Sequence, residues 1–203
     1  MNAVGVPAPG SGTTLVHSMS SARNKNPASA TQTHRLVGLA PLVAPNTRLL
    51  VLGSFPGVAS LAAQQYYGHP QNHFWRILTA IFAPSPRPQC ISSYEKRSEW
   101  FLEQGLGVWD VYASCERAGS LDSAIRDPQV NDFASLALRC PNLVAIAHNG
   151  GESFKHAKHT AALGLPVFKL PSTSPANASW SFERKLAAWR AVMVAAGLVQ
   201  APL

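Results

Sequence analysis

The sequence predicts an α/β sandwich with a parallel sheet, on three observations. Four short apolar runs fall at 48–54, 107–111, 143–147 and 167–170, with helical spacing between them. Runs such as Leu49-Leu50-Val51-Leu52 are unbroken by polar residues, as expected of strands covered on both faces. Every run ends in a polar or glycine-rich loop, so the four loops are expected to converge on one cleft at the carboxyl ends of the strands.

Taken in order, residues 1–34 are rich in Ala, Ser, Thr, Gly, Pro and Asn without periodicity, and are expected to form a disordered leader. The folded domain is expected to span 35–203, opening with a lead-in, Leu36 to Val43, that Pro41 and Pro45 break up. After the first strand, Gly53-Ser54-Phe55-Pro56-Gly57 is a turn that a short helical patch can follow. From Asn72 to Phe82, Phe74, Ile77, Leu78 and Ile81 share one helical face. Residues 83–89 hold three prolines and read as an exposed loop; Tyr94 to Gln104 reads as a helix closed by Gly105. Residues 113–132 read as a polar connection with a turn from Leu121 to Ile125, and Asp132 as the cap of a helix ending near Arg139. A helix after Gly151 is expected to reach Leu163, and the last one to run from about Ser179 to Ala196.

Composition narrows the class. At 203 residues, 46% hydrophobic and with mean hydropathy near zero, the chain suits a single globular domain. No apolar run approaches the roughly 20 residues that span a bilayer, and the first residues lack the order of a signal peptide. We therefore expect a cytoplasmic protein with no membrane partner, and a monomer. The three cysteines, Cys90, Cys115 and Cys140, are too scattered for a metal site or a disulfide framework and read as free buried thiols. All 10 acidic residues lie at or beyond Glu95, so residues 1–94 carry six basic side chains and no acid. A basic excess that travels with the first loop is what approach to a polyanion requires.

Several chemistries are excluded by motif. The 53–57 turn is neither a G-x-G-x-x-G dinucleotide turn nor a G-x-x-x-x-G-K-[ST] phosphate loop, and neither H-E-x-x-H nor G-x-S-x-G occurs. His69 and His73, and His156 and His159, stand at helical spacings, but Pro70 interrupts the first pair and no cysteine is near, so no metal site is expected. The segment Tyr66-Tyr67-Gly68-His69-Pro70-Gln71-Asn72-His73-Phe74-Trp75 concentrates stacking and neutral hydrogen-bonding groups, which suits a flat heterocycle better than a phosphate alone.

Three motifs in this order, Gly53 to Gly57, Tyr66 to Trp75 and Leu170 to Asn177, resemble the uracil-DNA glycosylase superfamily, and within it the branch of hypoxanthine-DNA (deoxyinosine) glycosylases. The resemblance covers about residues 35–198. It implies a three-layer α/β/α sandwich with a four-stranded parallel sheet, no cofactor, and hydrolysis of the N-glycosidic bond of a damaged base flipped out of DNA. It also implies a base pocket from Gly53, Ser54, Phe55, Pro56, Gly57, Tyr67, His69 and Asp110, and DNA contacts from Ser172, Thr173, Ser174 and Pro175. Two positions depart from the superfamily pattern. Phe55 stands where an Asp or Asn usually positions the attacking water, and Leu170 where a His or Asn usually supports the departing base. In the hypoxanthine branch the essential amide is the Asn of the His-Pro-x-Asn segment, here Asn72, which otherwise reads as a helix cap.

Glycosidic cleavage develops a cationic sugar and a negative base, so a site that positions water and offers donors suffices. Within the expected pocket, Phe55 either stacks on the base or packs in the core, Asp110 accepts from a ring N–H or makes a cap or salt bridge, and Gly57 leaves room for a purine where thymine-excluding uracil enzymes carry a Tyr. Ser172 and Ser174 grip phosphates or are turn residues. Tyr66 and Tyr67 are pocket wall or core. No lysine lies in the three motifs, so Schiff-base chemistry is not expected. The alternative is a non-catalytic binder of nucleic acid or nucleotide on the same fold, after loss of the polar groups at Phe55 and Leu170.

Overall fold

The computed structural model describes residues 35–82 and 93–201. The leader at 1–34, the proline-rich loop and Cys90 lie outside them. The elements in order are β1 (Arg35–Val37), β2 (Leu49–Gly53), α1 (Val58–Ala63), α2 (Phe74–Phe82), α3 (Tyr94–Glu103), β3 (Leu106–Asp110), β4 (Tyr112–Glu116), a 3-10 turn (Asp122–Ala124), β5 (Arg126–Val130), α4 (Phe133–Leu138), β6 (Ala145–Asn149), α5 (Gly151–Phe154), α6 (Ala157–Ala161), β7 (Val167–Leu170) and α7 (Phe182–Ala195). Strands β3-β2-β6-β7 form the expected four-stranded parallel sheet.

Alternation along β2 builds both faces of the core. Leu49 and Val51 pack with Phe74, Ile77, Leu78, Phe101, Trp189 and Met193 of α2, α3 and α7. Leu50 and Leu52 pack on the other face with Phe55, Tyr112, Cys115, Phe133 and Leu136. Period-two alternation in a strand buried on both faces makes every residue apolar, which is why the run showed no polar gap. The expected caps hold. Asp132 accepts the Ser135 amide at the start of α4, and Gly105 closes α3 with φ +73°.

Three expectations are corrected. A second, antiparallel sheet β1-β4-β5 occupies the lead-in and the polar connection. Its strand Arg126–Val130 is exposed at every position, contains Pro128 and has Val130 as its one aliphatic residue, so it shows no alternation that a sequence could reveal. Strand β6 runs on through His148 and Asn149, which pair with Lys169 and Leu170. A histidine fits inside the strand because its ring nitrogens meet Ser153 Oγ at 2.8 Å and Thr160 Oγ1 at 2.9 Å, and burial depresses its pKa to about 4. The helix expected to reach Leu163 is interrupted at Lys155 and His156, where His156 Nε2 meets the Tyr112 hydroxyl at 3.0 Å.

Candidate active site

The last residues of the four parallel strands, Gly53, Asp110, Asn149 and Leu170, all line one cleft of about 1070 Å³. The 53–57 turn, Tyr67, His69 and Asn72 line it too, as do the 120–123 segment and the 171–177 loop. The sequence-derived site residues are thus brought together, with one change of role inside the last loop.

Asn72 is fixed by its own backbone. Its amide donates to His69 O at 2.9 Å, and its Oδ1 accepts the Phe74 amide at 3.0 Å, an Asx turn that leads into α2. The capping role is therefore filled by the oxygen, while Nδ2 has no acceptor among the described residues. A held oxygen leaves the two N–H donors of Nδ2 oriented without further ordering.

Asn149, which the sequence reading passed over, ties the cleft floor together. Its Nδ2 donates to the Tyr67 hydroxyl at 3.0 Å and to Thr173 Oγ1 at 2.9 Å, and its Oδ1 accepts the Thr173 amide at 3.0 Å. Thr173 is fully buried, and its carbonyl accepts the His73 amide. It is a strut beneath the loop, not a surface DNA contact, because its polar groups are already spent inside the protein. Ser172, Ser174 and Pro175 remain at the cleft, with Ser172 Oγ accepting the Ser174 amide and Lys185 Nζ reaching the Ser174 carbonyl from below at 3.5 Å. The signal for Asn149 was present as a polar His-Asn-Gly-Gly run closing an apolar strand.

The aromatics divide. Tyr66 is core, its hydroxyl donating to the Ala40 carbonyl at 3.1 Å. Tyr67 takes φ +53°, rare for a residue with a side chain, and so stacks on Phe74 at 3.9 Å while its hydroxyl reaches the cleft floor. Phe55 is 6% exposed and lines the cleft from within the second core cluster; the Arg117 guanidinium lies 5.0 Å from its ring and donates to the Pro56 carbonyl. Ser54 Oγ donates to Asp122 Oδ1 at 2.6 Å, and Val58 donates to Ser120 Oγ, so the 120–122 segment clamps the turn. The Gly53 and Ser54 carbonyls accept the amides of Val111 and Tyr112. Gly57 has φ −68°, an ordinary extended residue, so no backbone requirement fixes it as glycine.

Asp110 is the most perturbed carboxyl of the cleft. It is 4% exposed, its Oδ2 has no partner among the described residues, and burial raises its pKa to about 7 against the opposing effect of Arg117. Among the described residues, the basic side chains of the amino-terminal half do not line the cleft. Arg35 pairs with Asp127, Arg48 donates to the Gly197 carbonyl, and Arg76 lies over Phe182. Lys169, beside the third motif, is the one lysine among the described residues that lines the cleft.

A parallel four-stranded sheet between helical layers, with a polar cleft at its carboxyl ends framed by these three loops, defines the uracil-DNA glycosylase class of α/β protein. The chain belongs to the uracil DNA glycosylase superfamily, whose family model matches residues 40–193. It is 36% identical over 140 residues to the hypoxanthine DNA glycosylase of Methanosarcina barkeri (strain Fusaro), covering 69% of this chain and 87% of that one. It is 35% identical over 155 residues to the hypoxanthine DNA glycosylase of Methanosarcina acetivorans, covering 76% and 96%. The solution NMR structure of a Methanosarcina acetivorans protein, provisionally described as a uracil DNA glycosylase, superposes with a TM-score of 0.70 at 33% identity, over 81% of this chain and 99% of that one.

Proposed function

We propose that the chain is a monofunctional DNA glycosylase that hydrolyses the N-glycosidic bond of deoxyinosine in DNA and releases hypoxanthine. The observation that carries the reading is Asn72, whose Nδ2 has no acceptor among the described residues and which lines a cleft of about 1070 Å³, ample for a flipped nucleotide. The two relatives named for hypoxanthine support the choice of base.

In this reading the flipped purine lies between the 53–57 turn and the cleft floor. Asn72 donates through Nδ2 and retains a second lone pair on Oδ1 for the attacking water. Negative charge growing on the base meets a donor that is already held in place, which costs no reorganisation during the reaction. Phe55 and Leu170, 6% and 1% exposed, contribute apolar wall where relatives of other branches place polar groups. Water completes the reaction at C1′ and leaves an abasic site.

Incubation of the purified protein with oligonucleotides carrying deoxyinosine, deoxyuridine or deoxyxanthosine, followed by hot alkali, tests the reading. Alkali-labile nicks at deoxyinosine are expected, and nicks at deoxyuridine alone would reassign the substrate. Tight binding with no nick on any substrate would favour a non-catalytic binder.

A further inference from the structure

We propose that Asp110 acts as a neutral carboxylic acid that donates its proton to a ring nitrogen of the departing purine. The inference rests on the deoxyinosine reading and deepens it.

The surroundings of Asp110 withhold what an ionised carboxylate needs. It ends β3 at the cleft, 4% exposed, with one oxygen packed on Gly53 and the other without any hydrogen-bond partner among the described residues. The ion pairs of the described residues are Arg35 with Asp127 and Lys155 with Glu152, so none of these residues places a cation within salt-bridge distance of Asp110. Arg117 acts on it only from under Phe55, where its guanidinium donates to the Pro56 carbonyl. Asp122 opposes ionisation by like charge, and Tyr66 and Tyr67, the other titratable groups coupled to it, are buried phenols pushed further above their usual range by desolvation. Desolvation and a like charge both favour the neutral acid, and its proton then lacks an acceptor among the described residues.

A purine supplies that acceptor. As the C1′–N9 bond breaks, its electron pair passes into the base and raises the basicity of N3 and N7. Transfer of the Asp110 proton to one of these nitrogens lets hypoxanthine leave neutral. Water adds to C1′ and loses a proton to solvent, and the carboxylate regains a proton from solvent, which closes the cycle. Uracil has carbonyl oxygens but no free imine nitrogen, so the arrangement favours a purine leaving group.

Single-turnover release of hypoxanthine from a deoxyinosine oligonucleotide is to be measured for the wild type, Asp110→Asn and Asp110→Leu from mildly acid to mildly alkaline pH. The wild-type rate is expected to fall as pH rises through neutrality. Asp110→Leu should lose about a hundredfold, and Asp110→Asn, able to give a hydrogen bond but no proton, should be intermediate and lack the alkaline limb. Infrared spectra of the free protein should show a protonated-carboxyl band near neutral pH that disappears in Asp110→Asn, a readout independent of turnover and of the folding of the Leu variant. A flat wild-type profile, an Asn variant that keeps the alkaline limb, or wild-type rates in both variants would overturn the inference while leaving the deoxyinosine reading intact. A folded wild type that releases no hypoxanthine at any pH would overturn that reading itself.

Discussion

The carboxyl group of Asp110 lies against the α-carbon of Gly53, its partner in the β2–β3 register, and a β-carbon added at Gly53 would overlap Asp110 Oδ1. Gly53 has no positive φ, so the requirement is one of space. Gly53→Ala should cost roughly 1–3 kcal/mol of stability through overpacking and displace Asp110 from the cleft. Thermal denaturation checks this, because the same change made in an Asp110→Ala background should cost much less.

The Asx turn of Asn72 separates its structural role from its chemical one. Asn72→Ala should lower base release by about a hundredfold, on the order of 3 kcal/mol of transition-state stabilisation, and stability by about 1 kcal/mol through loss of the helix-leading hydrogen bond. Asn72→Ser keeps an oxygen for the Phe74 amide and so should recover stability but not activity. Single-turnover rates beside melting curves distinguish the two, and a serine variant with half the wild-type rate would remove Asn72 from the chemistry.

Gly57 is a matter of room. A β-carbon there would meet Ser120 Oγ at 3.4 Å, an ordinary contact, so Gly57→Ala should fold and act nearly as the wild type. Gly57→Tyr should suppress hypoxanthine release about ten- to a hundredfold, and release of uracil, where it occurs, much less. Rates of the two variants on deoxyinosine and deoxyuridine oligonucleotides test this. Failure of the alanine variant on every substrate would show that the turn tolerates no side chain.

Asp110 also leaves a mark on stability. Its pKa is raised to about 7 in the fold from an ordinary value of 3.8, so between those values the folded state holds a proton that the unfolded chain releases. Stability from this group is present at the acid end of the window and is lost as pH rises through it. Asp110→Asn, an amide with no charge to form, should therefore gain on the wild type in melting temperature as pH rises from about 4 to about 7. His148 runs the other way, since its pKa of about 4 makes the fold lose stability as pH falls below the ordinary histidine value. Taking the difference between variant and wild type cancels that contribution.

Lys169 lines the cleft, so strand cleavage through a Schiff base deserves a direct test. Its ammonium lies 5.4 Å from the Phe154 ring, a cation–π contact. Borohydride added during turnover should trap no covalent protein–DNA complex, and Lys169→Ala should keep base release. A trapped band that Lys169→Ala abolishes would make the enzyme bifunctional.

The sequence by itself determined the parallel strands, the helix at Phe74–Phe82, the Asp132 cap and the three loops that frame the cleft. All are local signals: an apolar run, a 3.6-residue spacing, a capping carboxylate, a Gly/Pro turn. Asn72 and Asp110 drew notice through the family resemblance, and local signals gave only their places at the start or end of a regular element. Tertiary structure alone decided the rest. The exposed strand Arg126–Val130 is held by pairing with β4 rather than by apolar content. Asn149 acquires its place from Tyr67, 82 residues away, and from Thr173, and Ser54 acquires its clamp from Asp122, 68 residues on. The state of Asp110 depends on which groups the fold brings near it and on the water it removes, because a carboxyl's charge is set by its surroundings and the chain order does not contain them.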